Sequence, residues 1–192
     1  MASTEEIKEL RDATGVSIMQ CKKALEEAGG DMEKAKVILR KSSAAIAAKK
    51  SDRDLGSGVA SAYTHAGGAV VGAIVLSCET DFVAKNEEFS KLAYDIAMHV
   101  AAMNPQFLRK EDVQESDVAA AKSVFEEEAK DTPAEMREKI VQGKMDSFLG
   151  ERVLMDQAFV KDSSKTIRDL IQEATQKFGE NIAVTRFERL NV

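Results

Sequence analysis

The chain has 192 residues, of which 44% are hydrophobic and 31% charged, a composition typical of a globular protein with one sizeable core. Its net charge of −6 argues against a general nucleic-acid binder, because such proteins neutralise phosphates with clustered Lys and Arg. No apolar stretch reaches the roughly 20 residues that cross a bilayer, and the start, MASTEEIKEL, has no leader pattern, so we expect a cytoplasmic protein without a membrane segment.

The first fifty residues predict three short helices with clear start signals. Ser3 with Glu6 and Ser17 with Gln20 have the spacing of capping boxes, and Asp31 is placed to cap the third helix. The apolar positions of the three helices are Ile7 and Leu10; Ile18, Cys21, Leu25 and Ala28; and Ala35, Ile38 and Leu39. Helices this short are marginal alone, so we expect them to pack as one three-helix module.

The apolar periodicity is lost between residues 41 and 57, where an Ala-rich helix gives way to a polar linker that contains glycine. We place the domain boundary within residues 52–57. The sequence therefore predicts two domains, the helical module with its linker helix at 1–52 and a larger core at 53–192.

A β-hairpin is predicted to open the second domain. The strands GVASAYTH and AVVGAIVLSC flank residues 65–68, whose adjacent glycines allow the positive φ angles of a tight turn. The second strand is apolar on both faces, as expected for a strand that is covered on both sides. The C-terminal stretch IAVTRFERLN is rich in β-formers and is expected to join the same sheet.

Helices are predicted between the hairpin and the C-terminal strand. Asn86 can cap a long amphipathic helix, which Asn104-Pro105 would end. The apolar stripe of this helix is Phe89, Leu92, Ile96, Val100 and Met103. Further helices are expected at 116–130 and at 164–178. Another is expected after Thr132-Pro133, with the proline at the first helical position of a capping box and with interruptions at Gly143 and Gly150. The whole pattern predicts an α+β fold, with an N-terminal three-helix bundle followed by an antiparallel sheet packed with helices.

The sequence gives little support to an enzyme. It has two histidines, His65 and His99, and none of the common hydrolase, zinc-protease, phosphate-loop or dinucleotide motifs. Cys78 with a histidine could act as nucleophile and base, but a reactive thiol needs an electropositive, partly exposed setting and Cys78 ends an apolar strand. We therefore expect Cys21 and Cys78 to be buried free thiols, and no catalytic residue.

Metal binding is not favoured either. Glu79 and Asp81 lie two residues apart and would point the same way in a strand, but two carboxylates without further ligands form a weak site. His99 lies one helical turn from Asp95, which indicates a pair at the helix surface or core edge. We expect neither a metal nor a cofactor.

Phe82 stands in the segment ETDFVAKN, where a loop should connect the strand to the long helix. A lone loop phenylalanine usually folds back into the core. Here the strand has already ended, the next helix has its own apolar stripe, and polar residues surround the ring. An exposed aromatic on a polar rim is typical of an interface hot spot, so both interpretations stay open.

Four stretches, in the same order along the chain, carry a resemblance to a known family. They are KELRDATGVSIMQCKKALEEAGGDMEKA near the N-terminus, SCETDFVAKNEEF after the hairpin, DIAMHVAAMNP on the long helix and a C-terminal strand with RFE. In this combination the chain resembles the bacterial translation elongation factor Ts family over essentially its whole length. The stretches TDFVAKN and RxxTGxxxxxCKKAL are the most specific.

The resemblance implies a ubiquitin-associated-like three-helix bundle followed by an α+β core. It also implies a guanine nucleotide exchange factor that binds elongation factor Tu and speeds GDP release in translation, without catalysis of its own. Longer members of the family carry two core subdomains and an inserted helical hairpin, whereas this chain has room for one compact core and is similar to the short form. Some short members pair into homodimers, so the resemblance leaves both a monomer and a homodimer open for this chain.

The resemblance further implies two contacts with Tu. In the first, Asp81 would disturb the magnesium network of the GTPase and Phe82 would wedge between its helices. The residues implied there are Thr80, Asp81, Phe82, Val83, Ala84, Lys85 and Asn86. The second contact, near the nucleotide base, would use Arg11, Thr14, Gly15, Val16, Met19 and Lys22. Met19 could equally be a core residue, and His99 could be structural or lie near the interface.

Two alternatives come from other classes of function. The N-terminal bundle could be a ubiquitin-associated-like interaction module that binds a partner without affecting nucleotides, in which case it would carry all the binding. A cysteine-dependent enzyme would instead need Cys78, and full activity after Cys78→Ser would exclude it.

Overall fold

The chain folds into helices and a small number of strands, in a computed structural model that describes residues 2–192 apart from the side chain of Ala134. The helices are α1 (Thr4–Thr14), α2 (Ile18–Glu27), α3 (Met32–Lys50), α4 (Asp81–Ala84), α5 (Glu87–Met103), α6 (Glu115–Glu128), α7 (Ala134–Arg152) and α8 (Ile167–Phe178). The strands are β1 (Ser57–His65), β2 (Val70–Cys78), β3 (Ala158–Phe159), β4 (Asp162–Thr166) and β5 (Ala183–Asn191). The predicted α+β fold is confirmed. Within the described residues no helix is both long enough and apolar enough to span a membrane.

The three N-terminal helices begin at the predicted caps. The Ser3 side chain accepts from the Glu6 N–H while the Glu6 carboxylate accepts from the Ser3 N–H, a complete capping box. Asp31 caps α3 by accepting from the Lys34 N–H at 3.0 Å. The module buries Leu10, Val16, Cys21, Ala24, Leu25, Ala35 and Leu39. Ile18, predicted on the apolar side of α2, is 56% exposed, so that placement is wrong: it stands in the first turn of the helix, beyond the reach of this core.

The larger sheet has the strand order β1-β2-β5. The Val192 N–H donates to the Ala69 carbonyl at 3.2 Å, and the Ser77 and Thr185 hydroxyls are 2.9 Å apart, so β5 runs antiparallel to β2. The predicted return of the C-terminal strand to the hairpin sheet is therefore confirmed. Helix α5 lies close against β2 at Gly72, where an added Cβ would be 2.3 Å from the Ala97 carbonyl oxygen.

The backbone contacts divide the chain into two compact units. The first comprises Met1–Ser61, Val75–Ala93 and Arg168–Thr185, and the second Ala62–Ile74, Tyr94–Ile167 and Arg186–Val192. This grouping differs from the helical module and single core expected from chain length. The first unit joins the module to chain segments far away in sequence, which no local pattern indicates. The division into separately folding domains 1–52 and 53–192 stays a prediction.

Helix α5 follows the predicted apolar stripe for most of its length. Phe89, Ile96 and Val100 are fully buried. Asn86 caps the helix as predicted, because its side-chain oxygen accepts from the Glu88 N–H at 2.8 Å. Met103 is 44% exposed, so its predicted place in the core is wrong; it belongs to the last turn, where the stripe ends.

Helices α6 and α7 correspond to two predicted helices, and they pack together as a helical hairpin, which was not predicted. Helix α7 continues through Gly143 and Gly150, so the predicted interruptions are wrong. Each glycine costs a helix about 1 kcal/mol, and the packing of α7 on α6 outweighs this cost. The hairpin core is Ala129, Val141 and Met145, with Val118, Ala121, Phe125 and Ile140 packed against it. Pro133 is the N-cap of α7, so its predicted place at the first helical position, inside a capping box, is wrong.

A second small sheet of β3 and β4 was also missed. The pairing is antiparallel, with Phe159 opposite Asp162. The strand β4, DSSKT, is polar and mostly exposed, so neither residue preference nor alternation marks it as a strand. The helix predicted from residue 164 consequently begins only at Ile167.

Candidate functional site

The segment between β2 and α5 folds into the one-turn helix α4. Its N-cap Thr80 has extended backbone geometry, and the Lys85 and Asn86 amides donate to the Asp81 and Val83 carbonyls to close the turn. Val83 is buried, while the neighbouring Phe82 points outward. This single turn therefore fixes Val83 in the core and presents the preceding side chain, Phe82, to solvent.

Phe82 is the most exposed aromatic side chain among the described residues whose exposure the structure gives, at 82%. Of the two interpretations left open for Phe82, the core residue is therefore wrong, and the structure has the exposed ring. A bare phenyl ring in water is unfavourable by about 25 cal/mol for each Å² of apolar surface. Burial of this ring against a partner would recover that free energy, which is the property of an interface hot spot.

Asp81 lies beside this ring with its carboxylate bonded to Lys85. The Lys85 ammonium donates to Asp81 Oδ2 at 2.6 Å, and both side chains are largely exposed. The hydrogen bond and charge of Lys85 lower the pKa of Asp81. Asp81 is therefore a carboxylate at neutral pH, held by an exposed ion pair that a partner can replace at small cost.

Glu79 turns away from Asp81, so the two carboxylates do not form a pair. Glu79 Oε1 accepts from the Asn181 N–H at 2.6 Å and from Arg53 Nη1 at 3.3 Å. These interactions, the Asn181 hydrogen bond first, lower the pKa of Glu79. Within residues 2–192 no group of three or more His, Cys, Asp or Glu side chains is arranged to hold a metal ion.

Of the seven predicted contact residues, the structure brings four to the surface together. These are Thr80, Asp81, Phe82 and Lys85. Val83 is buried, Ala84 is half-buried, and the side chain of Asn86 caps α5. The last three residues therefore support the exposed group rather than form it.

The six predicted residues of the N-terminal module also separate into surface and support. Arg11, Gly15, Met19 and Lys22 are exposed, and Met19 is 76% exposed, so a core role for it is wrong. The half-buried Thr14 donates its hydroxyl to the Leu10 carbonyl at 2.6 Å. Val16 lies in the module core, so a surface contact through its side chain is wrong. Sequence reasoning missed Ile18, which lies beside Met19 and forms with it an exposed apolar pair.

Both cysteines are buried free thiols, as predicted. Burial raises the pKa of Cys21 and of Cys78, which keeps them as thiols at neutral pH. The Cys78 Sγ donates to the Thr80 carbonyl at 3.2 Å. Cys78 therefore steadies the chain entering α4, and its setting is the opposite of one that activates a nucleophile.

His99 is fully buried, and its predicted pairing with Asp95 at the helix surface or core edge is wrong. Its Nδ1 accepts from the Val160 N–H at 3.2 Å, so Nε2 carries the proton and donates to Gln157 Oε1 at 2.9 Å. Asp95 instead accepts from Lys161 at 2.6 Å. His99 thus has a structural role, in the neutral form.

We expect this histidine to make stability depend on pH. Burial lowers the pKa of His99 from the usual 6.5, so below about pH 6.5 the unfolded chain binds a proton that the folded chain does not. The free energy of unfolding should therefore be fully retained above pH 6.5 and decrease as the pH falls toward the native pKa. Urea unfolding between pH 5 and 8 measures this slope.

Variants at the two histidines separate this effect from general acid destabilisation. His99→Leu should be less stable at pH 8, because Gln157 and the Val160 N–H lose a partner, yet show a flatter slope. The same substitution at the exposed His65 is the control for the loss of an imidazole. A slope equal to that of the wild type in His99→Leu would contradict the assignment.

The sequence of the chain is similar to those of known proteins. Residues 48–192 match the family model described as elongation factor TS. A protein named elongation factor Ts from Herpetosiphon aurantiacus is 48% identical over 192 residues, covering 99% of this chain and 97% of the relative. Proteins of the same name from Thermosipho melanesiensis and Thermotoga maritima are each 46% identical, and cover 100% and 99% of this chain and 99% and 96% of their own lengths. The chain therefore belongs to the elongation factor Ts family.

Proposed function

We propose that this protein is the guanine nucleotide exchange factor for elongation factor Tu, and that it promotes GDP release by inserting Asp81 and Phe82 beside the magnesium and switch region of the GTPase. The observation that carries the proposal is the presentation of Phe82. Its ring is exposed on a turn whose next residue, Val83, is buried in the core. Membership in the elongation factor Ts family supports Tu as the partner.

The proposed mechanism follows from how a GTPase holds GDP. Backbone amides of the phosphate loop and a magnesium ion bind the phosphates, so anything that displaces the ion or its supporting helices weakens the nucleotide. Phe82 would enter between those helices as an apolar wedge. Asp81 would leave Lys85 and bring a negative charge to the magnesium network.

Exchange of this kind needs no reactive group. The factor and GDP bind the same GTPase, and the free energy by which one weakens the other is the same in both directions. The protein accelerates release because it binds better to Tu once the nucleotide has been loosened. The burial of Cys21, Cys78 and His99 agrees with this mode of action.

A second contact would come from the N-terminal module, near the nucleotide-base side of Tu. Its exposed candidates are Arg11, Gly15, Met19 and Lys22, and the neighbouring Ile18 extends the apolar area around Met19. Methionine adapts its shape to a partner, and the lysine and arginine supply charge at the rim.

The remaining parts of the proposal concern assembly and location. We propose that the protein acts in the cytoplasm, where elongation takes place, and contacts Tu rather than nucleic acid, in keeping with its net charge of −6. The homodimer implied by the short form of the family is proposed as well. Analytical ultracentrifugation at several concentrations measures it.

Stopped-flow release of a fluorescent GDP analogue from elongation factor Tu tests the function. We expect the wild-type protein to accelerate release by at least about a hundredfold at saturating concentration, which corresponds to a barrier to GDP release lowered by about 3 kcal/mol. Binding to Tu without acceleration would contradict exchange and favour the interaction module. Met19→Asp should weaken binding in either case, so it serves as a control that the module contributes contacts.

A further inference from the structure

The carboxylate of Glu180 accepts hydrogen bonds from the two residues that precede α4. Its Oε2 accepts from the Glu79 N–H and from the Thr80 N–H, each at 3.0 Å, and its Oε1 accepts from the Thr80 hydroxyl at 2.6 Å. Three hydrogen bonds to one carboxylate are strong because the acceptor is charged. They cross about one hundred residues of sequence and end immediately before the turn that carries Phe82.

The hydroxyl of Thr80 binds Glu180 instead of capping α4. A threonine at an N-cap normally accepts from an amide of the first helical turn. Here the Thr80 side chain makes no capping hydrogen bond to α4, and its hydroxyl donates to Glu180 instead. The orientation of α4 is therefore set by a distant loop rather than by its own cap.

The loop that carries Glu180 is itself firmly held. The buried side chain of Asn181 donates to the Ser51 and Arg53 carbonyls at 3.3 and 2.8 Å, and the Asn181 N–H donates to Glu79. Glu79 and Glu180 thus each bind the backbone of the other's segment. These hydrogen bonds join three segments: residues 51–53 of the linker, the loop at residues 180–181, and residues 79–80, which precede α4.

We propose that Glu180 is a positioning residue for nucleotide exchange, which holds α4 so that the Phe82 ring is presented in the orientation that Tu accepts. The inference rests on the proposed function. A wedge must keep its direction while it displaces packed helices, and a four-residue helix cannot supply that rigidity alone. The carboxylate of Glu180 supplies it by fixing the backbone at Glu79 and Thr80.

A double-mutant cycle tests the inference in the full-length protein. The variants are Glu180→Ala, Phe82→Ala and the two combined, and kcat/KM for release of the fluorescent GDP analogue from Tu is measured for each. We expect Glu180→Ala to lower kcat/KM by roughly tenfold when Phe82 is present and by less than about twofold when it is absent, because a positioning residue acts through the group it positions. Glu180→Gln keeps the shape of the side chain and one carbonyl acceptor, so its kcat/KM should lie between the values for the wild type and for Glu180→Ala.

Glu88→Ala is the matched control. Glu88 also accepts a hydrogen bond across the same unit, from Lys177 at 2.8 Å, but it does not touch the backbone of residues 79–80. We expect this variant to exchange within about twofold of the wild type. Urea unfolding of all variants separates lost stability from lost positioning.

Each outcome has a distinct meaning. If the wild type does not accelerate GDP release, the proposed function fails. If the wild type does and Phe82→Ala is slow, but Glu180→Ala either exchanges like the wild type or loses the same factor in both backgrounds, the proposed function stands and the positioning role is overturned.

Discussion

Phe82→Ala is expected to lower kcat/KM for GDP release from elongation factor Tu by roughly 30-fold or more, with little change in the stability of the protein itself. The ring is 82% exposed, so its removal leaves no cavity in the fold. A central aromatic hot spot contributes about 2 kcal/mol or more to an interface, and each 1.4 kcal/mol is a factor of ten. Stopped-flow release and urea unfolding measure the two quantities on the same variant.

The control for Phe82→Ala is an exposed apolar side chain elsewhere. Val124 on α6 is 54% exposed and belongs to neither proposed contact. Val124→Ala should exchange like the wild type. Equal acceleration by Phe82→Ala and wild type would leave the family assignment intact and show that the wedge is wrong.

Gly72→Ala is expected to destabilise the fold by about 3 kcal/mol, the upper part of the range for overpacked cores. The new Cβ would lie 2.3 Å from the Ala97 carbonyl oxygen and 2.6 Å from the Ala101 amide nitrogen. Both are backbone atoms of α5, so no side chain can rotate to make room. The helix and β2 would have to separate, which would loosen the buried face between them.

Gly143→Ala is the control for Gly72→Ala, and it is expected to have the opposite effect on stability. Gly143 lies within α7, and apart from its chain neighbours and the backbone of its own helical turns no described atom would lie within 4 Å of an added Cβ. Alanine there should stabilise the protein by about 0.5–1 kcal/mol, because it favours helix more than glycine does. Urea unfolding of both variants measures the contrast, and a Gly72→Ala variant as stable as the wild type would contradict the close packing of β2 on α5.

Local signals in the sequence predicted those features that are decided locally. Ser3 and Asp31 cap their helices where expected, and the α5 stripe is buried up to its last turn. Phe82 was identified because no neighbouring apolar pattern could absorb it. In each case a few adjacent residues decide the outcome, through a side-chain hydrogen bond or helical periodicity.

Other features depend on partners that are distant in the chain. Glu180 bonds to Thr80 across 100 positions, and Asn181 to Ser51 across 130. His99 has a carboxylate one turn away on its own helix but bonds to Gln157 instead. Gly143 and Gly150 have helix-breaking character, and only the packing of α7 on α6 keeps them helical. None of these interactions can be predicted from the type of a single residue.

The affinity of the protein for nucleotide-free and for GDP-bound elongation factor Tu, compared between wild type and Phe82→Ala, tests the central claim most directly. Because coupling is reciprocal, the wild type should bind nucleotide-free Tu more tightly by at least about a hundredfold. Phe82→Ala should reduce that ratio by roughly tenfold or more, since the wedge is the contact that competes with GDP. If the substitution weakens both affinities by the same factor and leaves the ratio unchanged, Phe82 only binds Tu and does not couple that binding to GDP release.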